Sequence, residues 1–478
     1  MVPVSAERWL WIPWVPPKQR CWPSVAKVID VTRTTTPGAG GVTLQTRAIG
    51  ADGRLGVDAG VEAGGYTRAP AAMKVVLLAP AYPPEMPHFT RGLAELGHEV
   101  YGVGDSAAQA LAPGVKRCLA DYLQVPRIMD EADVMSRVHQ WLRGREVDRI
   151  ESLWEPLVIL AARLRERMGV PGMSLDAVLG FRDKQLMKER VAAAGLRVPK
   201  ARRVRTAAEI WEAAEQIGYP LILKPIAGAG SADTHRVDSA EHLQKLLPRM
   251  QHVREASCEE FIDGEEFTYD TVCIDGRPAF ENVAQYLPRP LIARTNEWIS
   301  PVICTVRDLA QPTIRPGIEL GRGVLKALGM GSGFTHMEWY RTRSGEVVFG
   351  EIGCRPGGAR LVDQMNFTCD IDLFREWGRA VTTGRFDAST ERLYNTAIIF
   401  KRALGQGRIT RHEGLAEFKR RFGRWICAEE LLPVGAHRRD WLQTLVSDGW
   451  IMVRHPNWGD ALELANIAAT QVTLYAGG

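Results

Sequence analysis

Two glutamates in the run from Phe334 to Ile352 are the residues best placed to do chemistry. The run reads as two strands about a Ser344–Gly345 turn; if those two residues alone form the loop, Glu338 falls directly opposite Glu351. Like charges facing across a ladder destabilise it, yet two carboxylates on facing strands are a ready site for a hard cation such as Mg²⁺, with Mn²⁺ as a substitute. His336 shares their strand face. A solvated hairpin face is the plainer alternative, and the apolar residues around both glutamates weigh against it. The loop that follows, Gly353 to Gly358, sets Arg355 four residues beyond Glu351. A guanidinium there suits a carboxylate substrate or a developing oxyanion, or else pairs with one of the glutamates.

Two lysines stand upstream. The segment Asp183–Ala194 is an amphipathic helix with Met187, Val191 and Ala194 on one face, which puts Lys184 in its first turn. A cation there opposes the helix dipole at a cost of about 0.3–1 kcal/mol, small enough for an ordinary solvated lysine. Lys224 is harder to dismiss. It closes the apolar strand Tyr219–Pro225, where an unpaired buried ammonium would cost several kcal/mol, and Pro225 holds it extended. The next stretch, Gly228 to Asp233, is a glycine-rich loop whose backbone N–H groups suit an anion. Between these features, Cys258–Asp270 places apolar and acidic residues around Asp263–Gly264 and reads either as a hairpin or as a ligand-binding linker.

The order of these features, first-turn lysine, strand-end lysine, glycine-rich loop, acidic linker, paired glutamates and then arginine, resembles the ATP-grasp superfamily across roughly residues 73 to 478. The resemblance implies that Lys184 and Lys224 hold the phosphates of ATP and that the loop carrying Gly228, Gly230 and Ser231 closes over them. It implies that Glu259, Glu260 and Ile262 line the adenine slot and that Glu266 binds the ribose. By the same carry-over Glu338 and Glu351 are the Mg²⁺ ligands and Arg355 steadies the phosphorylated substrate, with Lys224 acting beside it in catalysis. Where many members have an asparagine two residues after the second glutamate, this chain has Gly353, which puts a second metal in doubt. That small residue, together with His336-Met337-Glu338, is similar to the amino-acid ligase branch that makes dipeptides.

The elements that must carry these residues follow from the pattern of apolar runs. From Met73 to about Arg182 strands (74–79, 98–103, 118–125, 147–153) alternate with helices (85–97, 130–144), which predicts an α/β domain built on a small parallel sheet. The turn after the first strand, Pro80 to Pro84, lacks GxGxxG, and no GxxxxGK[ST] occurs, so neither a dinucleotide turn nor a P-loop is expected. A second α/β unit, the ATP-grasp domain, is expected over 183–385. A small C-terminal α+β domain is expected over 386–478, with strands near 397–400 and 450–453 and a helix near 459–470. Residues 1–72 carry four Trp and a Gly/Ala-rich tract with no sustained period, so they read either as a flexible extension or as lying upstream of a start at Met73. The stretch 281–298 is expected to be a substrate-facing loop, with Tyr286, Arg294 and Trp298 selecting a side chain.

Composition narrows the class. At 478 residues the chain is too long for one ordinary core. Its 45% hydrophobic and 24% charged residues are those of a globular protein, and a net charge of +4 with no long like-charge run points to neither nucleic acid nor membrane. The eight cysteines show no CxxC spacing, which argues against zinc and against a disulfide framework and suits a cytoplasmic protein. The expected partners are a small carboxylate and an amine, and a homodimer is left open. Two rival readings remain at this point: an enzyme like biotin carboxylase that phosphorylates bicarbonate, and a nucleotide-binding protein without turnover.

Overall fold

The computed structural model describes residues 71–226, 234–444 and 446–478. The glycine-rich segment with Gly228, Gly230 and Ser231, and the chain up to residue 70, lie outside the described residues. Residues Pro70–Gly478 form one compact unit.

Four strands, β1 (Lys74–Leu78), β2 (Glu99–Gly104), β3 (Asp121–Gln124) and β4 (Arg149–Glu151), make an all-parallel sheet in the order β3-β2-β1-β4. Val75 to Leu78 are fully buried, as expected of a parallel strand covered on both faces. The expected alternation over 73–182 is therefore present, with helices at Met86–Glu95 and Glu131–Trp141.

A second sheet of β5 (Ala201–Val204), β6 (Leu221–Pro225), β7 (His235–Val237) and β8 (Ala256–Glu260) runs β5-β8-β6-β7 and presents Lys224 at the end of β6. The third sheet is the largest. It comprises β9 (Gly264–Ile274), β10 (Arg277–Leu287), β11 (Val302–Thr305), β12 (Gly333–Thr342), β13 (Val347–Gly353), β14 (Asn395–Phe400), β16 (Ile426–Leu431) and β17 (Gly449–His455), in the order β13-β12-β9-β10-β11-β14-β17-β16. Strands β15 (Arg408–Glu413) and β18 (Thr473–Gly477) form a separate pair.

The sheet orders revise three expectations. The stretch around Asp263–Gly264 is no hairpin, because β8 and β9 belong to different sheets and residues 261–263 are the linker joining them. The expected loop 281–298 is the end of β10 followed by the short helix Pro290–Thr295. The division at 385/386 falls inside the largest sheet: β14 pairs with β11 over Val302↔Ile399 to Cys304↔Ala397, so the C-terminal strands extend that sheet instead of forming one of their own.

The helix Arg315–Leu328 packs on the back of the large sheet through two glycines. A Cβ at Gly317 would lie 2.3 Å from the Trp339 ring, and one at Gly321 2.3 Å from Tyr269. The approach is possible only without side chains there. It clamps Trp339 and Met337, both fully buried, and strand alternation then turns His336, Glu338 and Tyr340 to the opposite face.

Candidate active site

Glu338 does pair with Glu351 across β12 and β13. The route to that register differs from the expected one. Thr342 N–H donates to the Glu346 carbonyl at 2.9 Å, so the loop has three residues, Arg343 to Gly345, which moves the pairing by one. A β-bulge between Glu338 and Trp339 moves it back. The extra residue is Gly350, where a Cβ would come within 2.7 Å of the Glu338 carbonyl oxygen.

Helix Lys184–Ala193 starts where it does because Asp183 caps it, accepting from Gln185 N–H at 2.9 Å and Leu186 N–H at 3.0 Å. Its buried face is Lys184, Met187, Lys188 and Val191, whereas Ala194, expected on that face, is exposed. Lys184 is thus no solvated lysine. Its Nζ lies 3.0 Å from Glu351, and Lys224 Nζ lies 3.7 Å from the same carboxylate. Burial works against charge on Glu351, but the two ammoniums outweigh it and bring its pKa down to about 2. Glu338 is pushed the other way, by burial and by the facing Glu351. The lysines prevail at Glu351, and burial prevails at Glu338.

Glu259 carries the second half of the lysine cluster. Its carboxylate takes Lys188 Nζ at 2.8 Å, Lys224 Nζ at 3.0 Å and the Ser257 hydroxyl at 2.7 Å. Glu259 lines the smaller cleft described below, with its carboxylate held by the two lysines. Burial and then Glu259 act on Lys224, and the carboxylates prevail, raising its pKa. On Lys188 burial prevails and the pKa falls. Glu260 points away to Arg197 at 2.8 Å, as alternation on β8 requires.

Glu266 is buried and receives Arg289 Nε at 3.0 Å; burial first, then Glu338, raises its pKa to about 7. Arg289 also donates to the Ile262 carbonyl at 2.8 Å and lies over the rings of Phe261 and Tyr340. These residues, with Ile222, Glu260 and Leu291, line a cleft of about 90 Å³ between the two antiparallel sheets, and Lys184, Glu338 and Glu351 also face it. A second cavity, of about 350 Å³, lies on the side of the parallel sheet and is walled by Phe89, Trp154, Met187, Ile303 and Phe400 among others. The two share Lys184, Pro290, Glu338 and Glu351.

Arg355 lines the larger cavity. Its Nε donates to Glu155 at 2.5 Å, and Arg182 binds the other oxygen of that carboxylate at 3.1 Å. The expected alternative, a bridge to Glu338 or Glu351, is not what forms; Glu155, which follows β4 of the parallel sheet, is the partner. Tyr286 donates to Glu338 at 3.3 Å and Arg294 lines the cavity, but Trp298 is 75% exposed and absent from its wall. His336 also faces the cavity, with Nδ1 2.6 Å from Asp270, whose other oxygen accepts from Thr268 and Asn282.

Sequence reasoning missed Lys188, Glu155, Asp270 and Arg289. Lys188 alone carried a signal, lying one position from Met187 and three from Val191 on the apolar helix face. The others are brought in by pairings distant in sequence.

Glu338 and Glu351 suit a hard divalent cation: both are oxygen donors, they face each other, and burial and the facing carboxylate outweigh what stabilises charge on Glu338. Among the described residues no group of three or more His, Cys, Asp or Glu forms a closed metal site, so such an ion would need ligands from elsewhere, as a phosphate-bound ion has.

The family model described as carbamoyl-phosphate synthase L chain, ATP binding domain, matches residues 183–264, the span that holds Lys184, Lys224 and Glu259. The match covers 82 of the 478 residues; the fold is the ATP-grasp fold, and the match and the paired glutamates agree with it. In sequence it is similar to the L-arginine-specific L-amino acid ligase of Bacillus subtilis, 28% identical over 263 residues, which are 53% of this chain and 63% of that protein. The chain thus spans just under two thirds of that relative. In structure it is similar to an L-amino acid ligase from Bacillus licheniformis, with a TM-score of 0.70 at 20% identity over 85% of this chain and 99% of the other. A biotin carboxylase domain from Hydrogenobacter thermophilus shares the fold at a TM-score of 0.61 and 18% identity, over 84% of this chain and 92% of that one. No helix among the described residues is long and apolar enough to cross a membrane.

Proposed function

We propose that the protein is an ATP- and Mg²⁺-dependent, ADP-forming ligase that activates an organic carboxylate as an acyl phosphate and passes it to an amine, an amino acid being the acceptor. The supporting observation is the junction of the two cavities at Lys184, Glu338 and Glu351. One cavity takes the nucleotide and the other the acid, so the γ-phosphorus and the carboxylate oxygen meet at those three residues. Lys184 and Lys224 hold phosphate oxygens, and Lys188 keeps Glu259 charged behind them. Glu338 and Glu351 would hold Mg²⁺, which supplies neutralisation of the triphosphate. Arg355, fixed by Glu155, steadies the carboxylate and its later oxyanion. Glu266, Ile262 and Arg289 form the nucleoside end of the smaller cleft.

In the first step a carboxylate oxygen bonds to the γ-phosphorus and the bond to ADP breaks. In the second the amine nitrogen bonds to the carbonyl carbon, phosphate leaves with the C–O electron pair, and the amine's proton passes to solvent. Positioning and charge do this work, and no protein nucleophile is needed. The size and apolar walls of the larger cavity favour an organic acid over bicarbonate, within the volume range usual for small-molecule sites. The similarity to amino-acid ligases supports the same choice, and the cytoplasm is the compartment we assign.

With a competent acid, Mg²⁺-ATP and hydroxylamine in place of the amine, the expected products are the hydroxamate, ADP and phosphate. Formation of AMP and pyrophosphate would mean adenylation and overturn the mechanism. Turnover with bicarbonate alone would put the carboxylase reading in its place, and binding of ATP without any ADP release would leave a binding protein.

A further inference from the structure

The larger cavity carries a cation that the chemistry above does not use. Arg402, two residues past β14, is 9% exposed and lines that cavity. Its Nη1 donates to the carbonyls of Ala293 at 2.7 Å and Asn296 at 2.9 Å, and its guanidinium lies 4.4 Å from the centre of the Trp441 ring. Its Nε is buried with no hydrogen-bond partner. No carboxylate pairs with it among the described residues. The two acidic groups that face it, Glu297 and Asp448, are both taken by Arg438, at 2.6 Å and 3.2 Å, and Asp448 also accepts from the backbone N–H of Ala403 and Arg439. Arg294, a second cation on the same wall, adds repulsion. Buried guanidiniums are ordinarily paired, because an uncompensated one costs several kcal/mol.

The position is suited to a substrate. Ala293 and Asn296 lie in and just after the helix that follows β10, the strand whose Tyr286 donates to Glu338, and Arg402 lines the same cavity as Glu338. The sheet register places Glu338, Tyr286, Ile303 and Phe400 on one face, which is the cavity's wall between the two ends.

We infer that Arg402 is an anion subsite that binds a carboxylate of the substrate remote from the carboxyl being phosphorylated. Planar bidentate recognition is what a guanidinium offers a carboxylate. The group it binds is either the second carboxylate of a dicarboxylic donor or the carboxylate of the acceptor amino acid; both have the same chemistry at this site. The inference rests on the ligase reading.

The test compares free acids with their uncharged amides. For the donor, succinate and glutarate are set against succinamate and glutaramate in the hydroxylamine assay. For the acceptor, amino acids are set against the corresponding amino-acid amides in phosphate release. The wild-type protein is expected to favour the free acid by about 10- to 100-fold in kcat/KM on one of the two arms, the gain of a charge-assisted pair. Whichever arm shows it identifies the source. Arg402→Met should abolish that discrimination, raising KM for the acid while kcat and the KM of ATP hold, and Arg402→Lys should restore part of it. A guanidinium that only braces Ala293 and Asn296 would lower the melting temperature of Arg402→Met and leave the acid-to-amide ratio where it was. Equal use of acid and amide on both arms by the wild-type protein overturns the inference even if the variants fail to fold, and leaves the ligase reading standing. Loss of turnover with every acid overturns the ligase reading instead. In that event calorimetric titration of the wild-type protein with glutarate and glutaramate still decides the subsite, since equal or absent binding of both removes it.

Discussion

Replacing Glu338 with Gln should separate a metal ligand from a structural residue. Directly opposed strand residues have Cβ atoms about 5 Å apart, and two unit charges at that separation repel by about 3 kcal/mol at an effective permittivity of about 20. The ammoniums of Lys184 and Lys224, at 3.0 and 3.7 Å from Glu351, offset part of that repulsion. Gln keeps the volume and can still accept from Tyr286. The nucleotide-free variant should therefore be as stable as the parent or up to about 3 kcal/mol more stable. Mg²⁺-ATP at a hundred times its Kd should add about 2.7 kcal/mol to the parent, and most of that gain should vanish in the variant together with turnover. Urea unfolding with and without Mg²⁺-ATP reads both effects, with phosphate release alongside. A variant more than about 2 kcal/mol less stable in metal-free buffer, where an isosteric neutral replacement should be harmless, would make the carboxylate structural. A variant that keeps its ligand-induced gain and its turnover would remove Glu338 from the metal site.

Three further outcomes are expected. Lys188→Met should destabilise the protein by about 3 kcal/mol in urea unfolding by stranding part of the Glu259 charge, and should raise the KM of ATP as Lys224 is drawn to Glu259. Lys401 donates to the Ala468 and Ala469 carbonyls near the C-terminal end of the helix Trp458–Gln471, and burial brings its pKa down to about 7. The unfolded chain then holds a proton from pH 7 to about 10 that the folded one lacks, so stability should rise with pH, by up to about 2.7 kcal/mol between pH 7 and 9. Unfolding midpoints across that range check the slope, and Lys401→Met should flatten it. A chain cut after residue 385 should fail to give a cooperative melt, because β14, β17 and β16 are part of the large sheet and its removal exposes β11 as a new edge.

The strand that ends in Lys224, the parallel sheet over 73–182 and the facing glutamates were legible in the sequence because each depends on local pattern. The glutamate register was right through two departures that cancel, a longer loop and a bulge, neither visible in residue spacing. Lys184 could pass for a surface lysine because nothing near it in sequence reveals Glu351, its partner 167 positions on. The same limit hid Glu155 from Arg355 and Asp270 from His336. The pairing across residue 385 was hidden for a related reason: short apolar strands announce themselves, but the sheet they join is set by the partner strand β11, some ninety residues earlier.

The bulge at Gly350 separates the length of the hairpin loop from the facing of its strands. Opposed residues share a face whatever the loop's length, so the pair Glu338–Glu351 is held by the ladder and the one unpaired residue, not by the turn. Removing one residue from Arg343–Gly345 should leave Thr342 opposite Glu346 and the glutamates facing each other. A residue inserted within β13 between Glu346 and Phe349 is different: unless it bulges out, it turns Glu351 toward the Arg315–Leu328 helix and empties its place beside the lysines. Length changes in this hairpin should therefore be tolerated in the turn and costly in the strand.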